Sequence, residues 1–132
     1  MDIIDYGFRR VGEWRLRSDV NSGVGFVVGD LAEHRVLYAF VVAGDVKYIG
    51  TCEKRGTTLR DRLQRYQNRA GAGTNARIAE LIRQCLERDE TVEVMALKPH
   101  PSPMYKGLEV DLVKGLETPL LTRLSPEWNL LW

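Results

Sequence analysis

The sequence predicts an α/β (α+β) domain: a small three-stranded, mainly antiparallel sheet flanked by three helices, with a β-leaning extension at the N-terminus. Three observations carry this. Two short apolar runs, Val36–Ala43 and Val46–Gly50, are rich in Val, Tyr, Phe and Ile and are separated by a glycine-containing break. Three later stretches place apolar residues three and four apart, as a helix with one buried side requires. Between two of these stretches, Thr91–Leu97 alternates in the period-two manner of a strand.

In chain order, residues 1–33 give the weakest signal. Phe8, Val11, Trp14 and Leu16 are apolar anchors, and glycine-bounded Gly23–Gly29 reads as a short strand. We therefore divide the chain into an extension, 1–34, packed on a main domain, 35–132. The runs at 36–43 and 46–50 form a hairpin, with Gly44-Asp45 as its turn. Thr57 or Thr58 caps a first helix to about Arg69, whose buried positions are Leu59, Leu63, Tyr66 and Ala70. Asn75 caps a second helix to about Arg88, buried through Ile78, Leu81, Ile82 and Cys85. Pro99–Pro103 is a stiff loop. Asp111 caps a last helix, Leu112–Leu124, unless Pro119 makes the chain restart there with Thr118 as cap.

Bulk composition narrows the function classes. With 132 residues, 44% hydrophobic and 28% charged, the chain suits one globular domain and not a disordered one. No apolar run is long enough to span a bilayer, so no membrane partner is expected. Cys52 and Cys85 lack metal-ligand spacing and fit a reducing, cytoplasmic setting. The net charge is +1, but its distribution is uneven. Lys54–Arg69 carries six cations against Asp61 alone, and Gly107–Leu120 carries Glu109, Asp111 and Glu117 against Lys114. A basic element beside an acidic one suits a polyanion such as DNA held over a cation, and two solvated faces suit the pattern equally.

Some residues stand out chemically. Arg62 and Tyr66 lie one turn apart on the first helix, with Leu59 and Leu63 flanking them. Arg62 thus sits at the edge of the buried side, placed either to fork onto a phosphate or to cover apolar surface. Glu117 projects onto the arc of Val113, Leu121 and Leu124. A carboxylate there must be paired, protonated or metal-bound. Glu109 competes with it if the helix begins early. His34 and His100 read as surface residues, and Trp14, Trp128 and Trp132 as core.

The motifs Val36-Leu37-Tyr38, Tyr48-Ile49-Gly50, Leu59–Tyr66 and Glu117-x-x-Leu120-Leu121 followed by Pro126-x-Trp128-Asn129 resemble, in order and spacing, the GIY-YIG nuclease domain. The likeness covers about residues 35–131. It implies a site of Tyr38, Tyr48, Arg62, Tyr66, Glu117 and Asn129, with Glu117 rather than Glu109 holding one Mg²⁺ or Mn²⁺. It also implies a metal-dependent DNA endonuclease in which Tyr38 or Tyr48 relays or removes the proton of the attacking water. That role requires a depressed phenol pKa. The basic run adds Arg55, Arg60, Arg65 and Arg69 as DNA contacts. The sequence departs from the family at Val36, where a glycine is usual, at Thr51, where lysine or glutamine is common, and in its longer Thr51–Thr57 loop. A homodimer would supply recognition surface that so small a module lacks. A non-catalytic module binding nucleic acid or protein on the same scaffold is the alternative.

Overall fold

The computed structural model describes residues 2–29, 35–53, 56–68, 73–99 and 103–129. After a 3-10 turn at Ile3–Tyr6 come strands β1 (Arg9–Leu16), β2 (Val24–Val28), β3 (Val36–Val42) and β4 (Asp45–Cys52). Helices α1 (Leu59–Gln67) and α2 (Thr74–Glu87) follow, then β5 (Val92–Leu97), a two-stranded ribbon β6 (Met104–Tyr105) and β7 (Leu108–Glu109), helix α3 (Leu112–Leu124) and a 3-10 turn at Glu127–Asn129.

The main sheet has five strands, not three, in the order β2-β1-β5-β3-β4, with every neighbouring pair antiparallel. The two extra strands come from the N-terminal region. β1 pairs with β5 across most of the chain, with Arg9 opposite Ala96 and Trp14 opposite Val92. A bulge at Val11 shifts the register, and Gly12 beyond it lies so close to β2 that a Cβ would stand 2.2 Å from the Val27 carbonyl oxygen.

β3 is buried along its whole length, because both faces of the sheet are covered. On one face Trp14, Tyr38, Phe40 and Tyr48 pack against Leu59, Leu63 and Tyr66 of α1 and Ile78 and Ile82 of α2. On the other, Leu37, Ala39, Val41 and Ile49 meet Val113, Leu120 and Leu121 of α3, with Ile3 and Phe8. An uninterrupted apolar strand is what two-sided burial demands.

Local chemistry explains the element ends. Ala43 and Gly44 both take positive φ, 50° and 83°, so the hairpin turn is this pair and Asp45 already belongs to β4. Two left-handed residues suit the strand twist, as in a type I′ turn. Thr58, not Thr57, caps α1: its hydroxyl accepts from the Asp61 amide, and the Asp61 carboxylate accepts from the Thr58 amide. Asn75 does not cap α2. It is the second residue of a helix that opens at Thr74 after left-handed Gly73. Asp111 caps α3, which runs unbroken through Pro119. The N–H that proline lacks would have met only the carbonyl of Gly115. The ribbon was not foreseen. It turns on Lys106 and Gly107, both at positive φ, and carries Glu109 outside the helix, near Arg35 at 3.9 Å.

Because the obstacle at Gly12 is backbone, it cannot rotate away. Gly12→Ala is expected to destabilise the chain by about 1–3 kcal/mol, read as a lower urea midpoint at unchanged slope.

Candidate active site

Tyr38 on β3, Tyr48 on β4 and Tyr66 on α1 converge under the helical layer with their rings 6.1–6.4 Å apart. Phe40 fills the space among them and stacks on Tyr48. Tyr38 lies directly across Gly50, its partner on β4: a Cβ on Gly50 would come within 2.3 Å of the Tyr38 ring. The glycine closing the Tyr-Ile-Gly run is therefore needed so that the phenol can lie over the neighbouring strand.

The hydroxyls form a chain. Tyr38 Oη and Tyr66 Oη are 2.6 Å apart, and Tyr66 Oη donates to Tyr48 Oη at 3.3 Å. Arg62 Nε and Nη2 donate to Tyr38 Oη at 3.4 and 3.3 Å. A phenol has one proton and a guanidinium has only donors. In space the chain runs Arg62, Tyr38, Tyr66, Tyr48, and the short Tyr38–Tyr66 bond can be donated from either side. Tyr48 is the one ring of the three that reaches the surface, at 8% exposure.

This cluster does not suit a phenolate. Burial pushes Tyr38, Tyr48 and Tyr66 well above the ordinary value of 10, and Arg62 offsets only part of this at each ring. In the protein alone burial and the neighbouring rings favour the neutral phenols, so the proton-removing role expected from the sequence would need a further cation beside them. The phenols instead hold Arg62, half-buried, with Nη1 unpartnered among the described residues.

Arg62 faces a hollow of about 250 Å³ lined by Thr51, Cys52, Glu53, Thr57 and Arg65. Arg65 thus joins Arg62 there, while Arg60 is exposed elsewhere on α1. Arg55 and Arg69 lie outside the described residues, as do His34, His100 and Trp132. Burial raises the Cys52 thiol to about 11, so it stays a protonated, small apolar group.

Asn129 is buried and bonds both ways to Ile49: its Oδ1 accepts from the Ile49 amide at 2.9 Å, and its Nδ2 donates to the Ile49 carbonyl at 3.0 Å. It occupies the free edge of β4 beside Tyr48. The left-handed Ser125 that ends α3 and an ion pair from Glu127 to Lys47 bring it there.

Glu117 is on α3, across the sheet from the phenols. It is half-buried, and among the described residues it has neither an ion pair nor a hydrogen bond. Partial loss of water raises its pKa, and the negative charge of Glu53 adds to the shift. A hard carboxylate drawn from water, without a counter-charge and under the field of a second carboxylate, suits Mg²⁺ or Mn²⁺. No group of three or more His, Cys, Asp or Glu side chains converges among the described residues. Such a cation would therefore take most of its shell from water and phosphate.

Two residues escaped the sequence reading. Glu53 follows β4 in a loop with no periodicity to mark it. Arg77 of α2 donates from Nη2 to the Trp128 carbonyl at 2.7 Å and places its charge near Tyr48. Its place beside Ile78, at the edge of the buried stripe, was the available signal.

No family model matches the chain, and no curated protein sequence does. Solved structures do match. A glutamate-to-alanine mutant of EndoII from bacteriophage T4 is similar over 96% of this chain and 94% of its own, with a TM-score of 0.71 and 19% identity. The restriction endonuclease Hpy188I, in complex with product DNA, is similar over 95% of this chain and 82% of its own, with a TM-score of 0.54 and 17% identity. Both are GIY-YIG nucleases, and the chain has their fold.

The buried phenols couple stability to high pH. An unfolded tyrosine releases its proton near pH 10 and these three release theirs higher, so above pH 10 the native chain binds more protons than the unfolded one. Stability is thus full below pH 10 and falls as pH rises beyond it. Absorbance at 295 nm is expected to show three of the five tyrosines ionising only together with loss of the far-UV signal.

Proposed function

We propose that this protein is a metal-dependent DNA endonuclease. The observation that carries the reading is a guanidinium anchored in the core at a small polar hollow, in a chain whose α3 also holds a carboxylate without a counter-charge among the described residues. The likeness of fold to two endonucleases, one in complex with product DNA, supports it.

The substrate is a phosphodiester. Arg62, oriented by two bonds to Tyr38, presents Nη1 to a non-bridging phosphate oxygen, and Arg65 adds a second positive charge to the same hollow. Such preorganised charge is commonly the largest catalytic contribution where negative charge builds on phosphate oxygens. Tyr48, the one ring of the three that reaches the surface, hydrogen-bonds an oxygen of the substrate or the attacking water. Asn129 holds the β4 edge so that Tyr48 keeps this aim. Glu117 would hold the Mg²⁺ or Mn²⁺, which when bound would supply Lewis-acid stabilisation of phosphate charge. Arg60 and Arg65 of α1, and Arg55 and Arg69 in the same basic run of the sequence, contact the DNA backbone, which adds affinity without reading sequence. A second copy of the chain would enlarge the surface for recognition. Among the described residues no helix is long and apolar enough to cross a membrane.

Purified protein is expected to nick supercoiled plasmid with Mg²⁺ or Mn²⁺ and not with EDTA. Glu117→Ala is expected to abolish cutting while leaving gel-shift affinity and the thermal midpoint unchanged, since Glu117 has no ion pair or hydrogen bond to lose among the described residues. Arg62→Ala is expected to slow cutting by about 10²–10³-fold. Wild-type protein that binds DNA but cuts neither supercoiled nor branched substrates with either metal overturns the reading. Unfolding of Glu117→Ala would show instead that this carboxylate is structural.

A further inference from the structure

The ribbon that joins β5 to α3 has a surface unlike the rest of the molecule. Of the seven large apolar side chains that stand exposed among the described residues, four lie on it: Met104, Tyr105, Leu108 and Val110. Tyr105 pairs with Leu108, and the Val110 amide donates to the Pro103 carbonyl at 2.9 Å. Side chains alternate along each arm, so Pro103, Tyr105, Leu108 and Val110 share one face, and Met104 and Glu109 share the other. With Tyr105 at 62% exposure and Leu108 at 67%, the first face contributes little to any core.

The shape fits a groove. Lys106 and Gly107, both at positive φ, turn the ribbon within two residues. Paired strands lie about 4.8 Å apart, and arms of residues 103–105 and 108–110, at about 3.3 Å per residue, reach about 10 Å. The major groove of B-DNA, about 12 Å wide and about 8.5 Å deep, admits a two-stranded ribbon. A protein partner fits less well. A stable protein interface takes about 800 Å² from each side, and four side chains on two short arms fall well short of that.

The charges agree with a polyanion. Lys106 is at the tip, its ammonium 5.5 Å from the centroid of the Tyr105 ring. The carboxylates at the foot are engaged elsewhere. Glu109, on the other face, lies 3.9 Å from Arg35, and Asp111 accepts from the Val113 and Lys114 amides at the start of α3. Asp111 leads the ribbon straight into α3, which places Glu117 about 9 Å further along the helix axis. A duplex held at Glu117 therefore passes within reach of the ribbon.

We propose that the β6–β7 ribbon enters the major groove of the DNA and lays its Tyr105–Leu108 face against thymine methyl groups. Resting on the endonuclease reading above, this gives the chain a means of reading sequence, which arginine contacts to phosphate do not supply. The C5-methyl of thymine is the apolar group that base edges present in that groove, and an apolar face selects it.

The test uses the full chain and one PCR fragment made with dTTP or with dUTP, which lacks that methyl. Affinity is measured by gel shift in EDTA, and cutting is measured separately on plasmid with Mg²⁺ or Mn²⁺. Wild-type protein is expected to bind the thymine fragment more tightly, by about fourfold for each methyl covered. Tyr105→Thr/Leu108→Thr keeps residues that favour strands but removes most of the apolar face. It is expected to bind the thymine fragment more weakly than wild type, to lose the preference between fragments, and to keep the thermal midpoint. Met104→Thr, on the other face, is expected to keep both affinity and preference. A double variant that retains the preference, a Met104→Thr chain that loses it, or a wild type that binds both fragments equally overturns the proposal. A double variant that sediments without DNA as a smaller species than wild type overturns it in favour of a contact between copies. Wild-type protein that shows the preference but does not cut overturns the endonuclease reading alone, and wild-type protein that neither binds nor cuts overturns both.

Discussion

A hydrogen bond of 2.6 Å between Tyr38 on the central strand and Tyr66 on α1 sets where the first helix lies. Both rings are fully buried, so each hydroxyl must find a partner or forfeit roughly 1–3 kcal/mol of lost hydration. The helix can satisfy both only at one height over the sheet. Arg62, one turn before Tyr66, is then brought to the same Tyr38 oxygen, and its free Nη1 is fixed by packing beneath it. Gly50 is part of the constraint, because any side chain there would lift the Tyr38 ring. The position of the guanidinium thus follows from the core.

Glu117 depends on a different layer. Its helix lies under the opposite face, seated through Val113, Leu120 and Leu121, and the fully buried β3 separates the two halves. Neither half reaches the other through the sheet. Glu53, just past the end of β4, faces Arg62 on one side and acts on the charge of Glu117 on the other. Asn129 closes the arrangement by returning the chain from α3 to the amide and carbonyl of Ile49. The alignment of the two halves therefore depends on the stiffness of β4 between Tyr48 and Cys52.

The hairpin, α1, β5 and α3 were legible because their signals are local. Unbroken apolar runs mark strands covered on both sides, three-and-four spacing marks helices, and Thr58 and Asp111 mark helix starts. The sheet was undercounted for a physical reason. β1 carries Arg9, Arg10, Glu13 and Arg15 among few apolar residues, and what makes it a strand is β5, about eighty residues away, which leaves no trace in the local pattern. The tyrosines and Arg62, singled out by motif order and spacing, do lie together in the fold, and Asn129 lies at the edge of the strand that carries Tyr48. The protonation of the phenols was not legible, because the pKa of a phenol depends on depth and on the next ring, and spacing reports neither. Glu53 was hidden because a loop carboxylate has no period.

The pairing of β1 with β5 also has a bearing on synthesis. Arg9 finds its place opposite Ala96, so the first hairpin emerges from the ribosome long before the strand it docks on. At about 5–20 residues per second, that is an interval of several seconds to a quarter of a minute. Until α1 and α2 follow, Trp14 and Val24, fully buried in the finished protein, have no layer to cover them. Closing so long a loop slows folding, and the waiting hairpin presents β1, an interior strand of the finished sheet, with one side unpaired. A chain made this way has a window in which its own N-terminal strands are the part most open to aggregation and most in need of a chaperone.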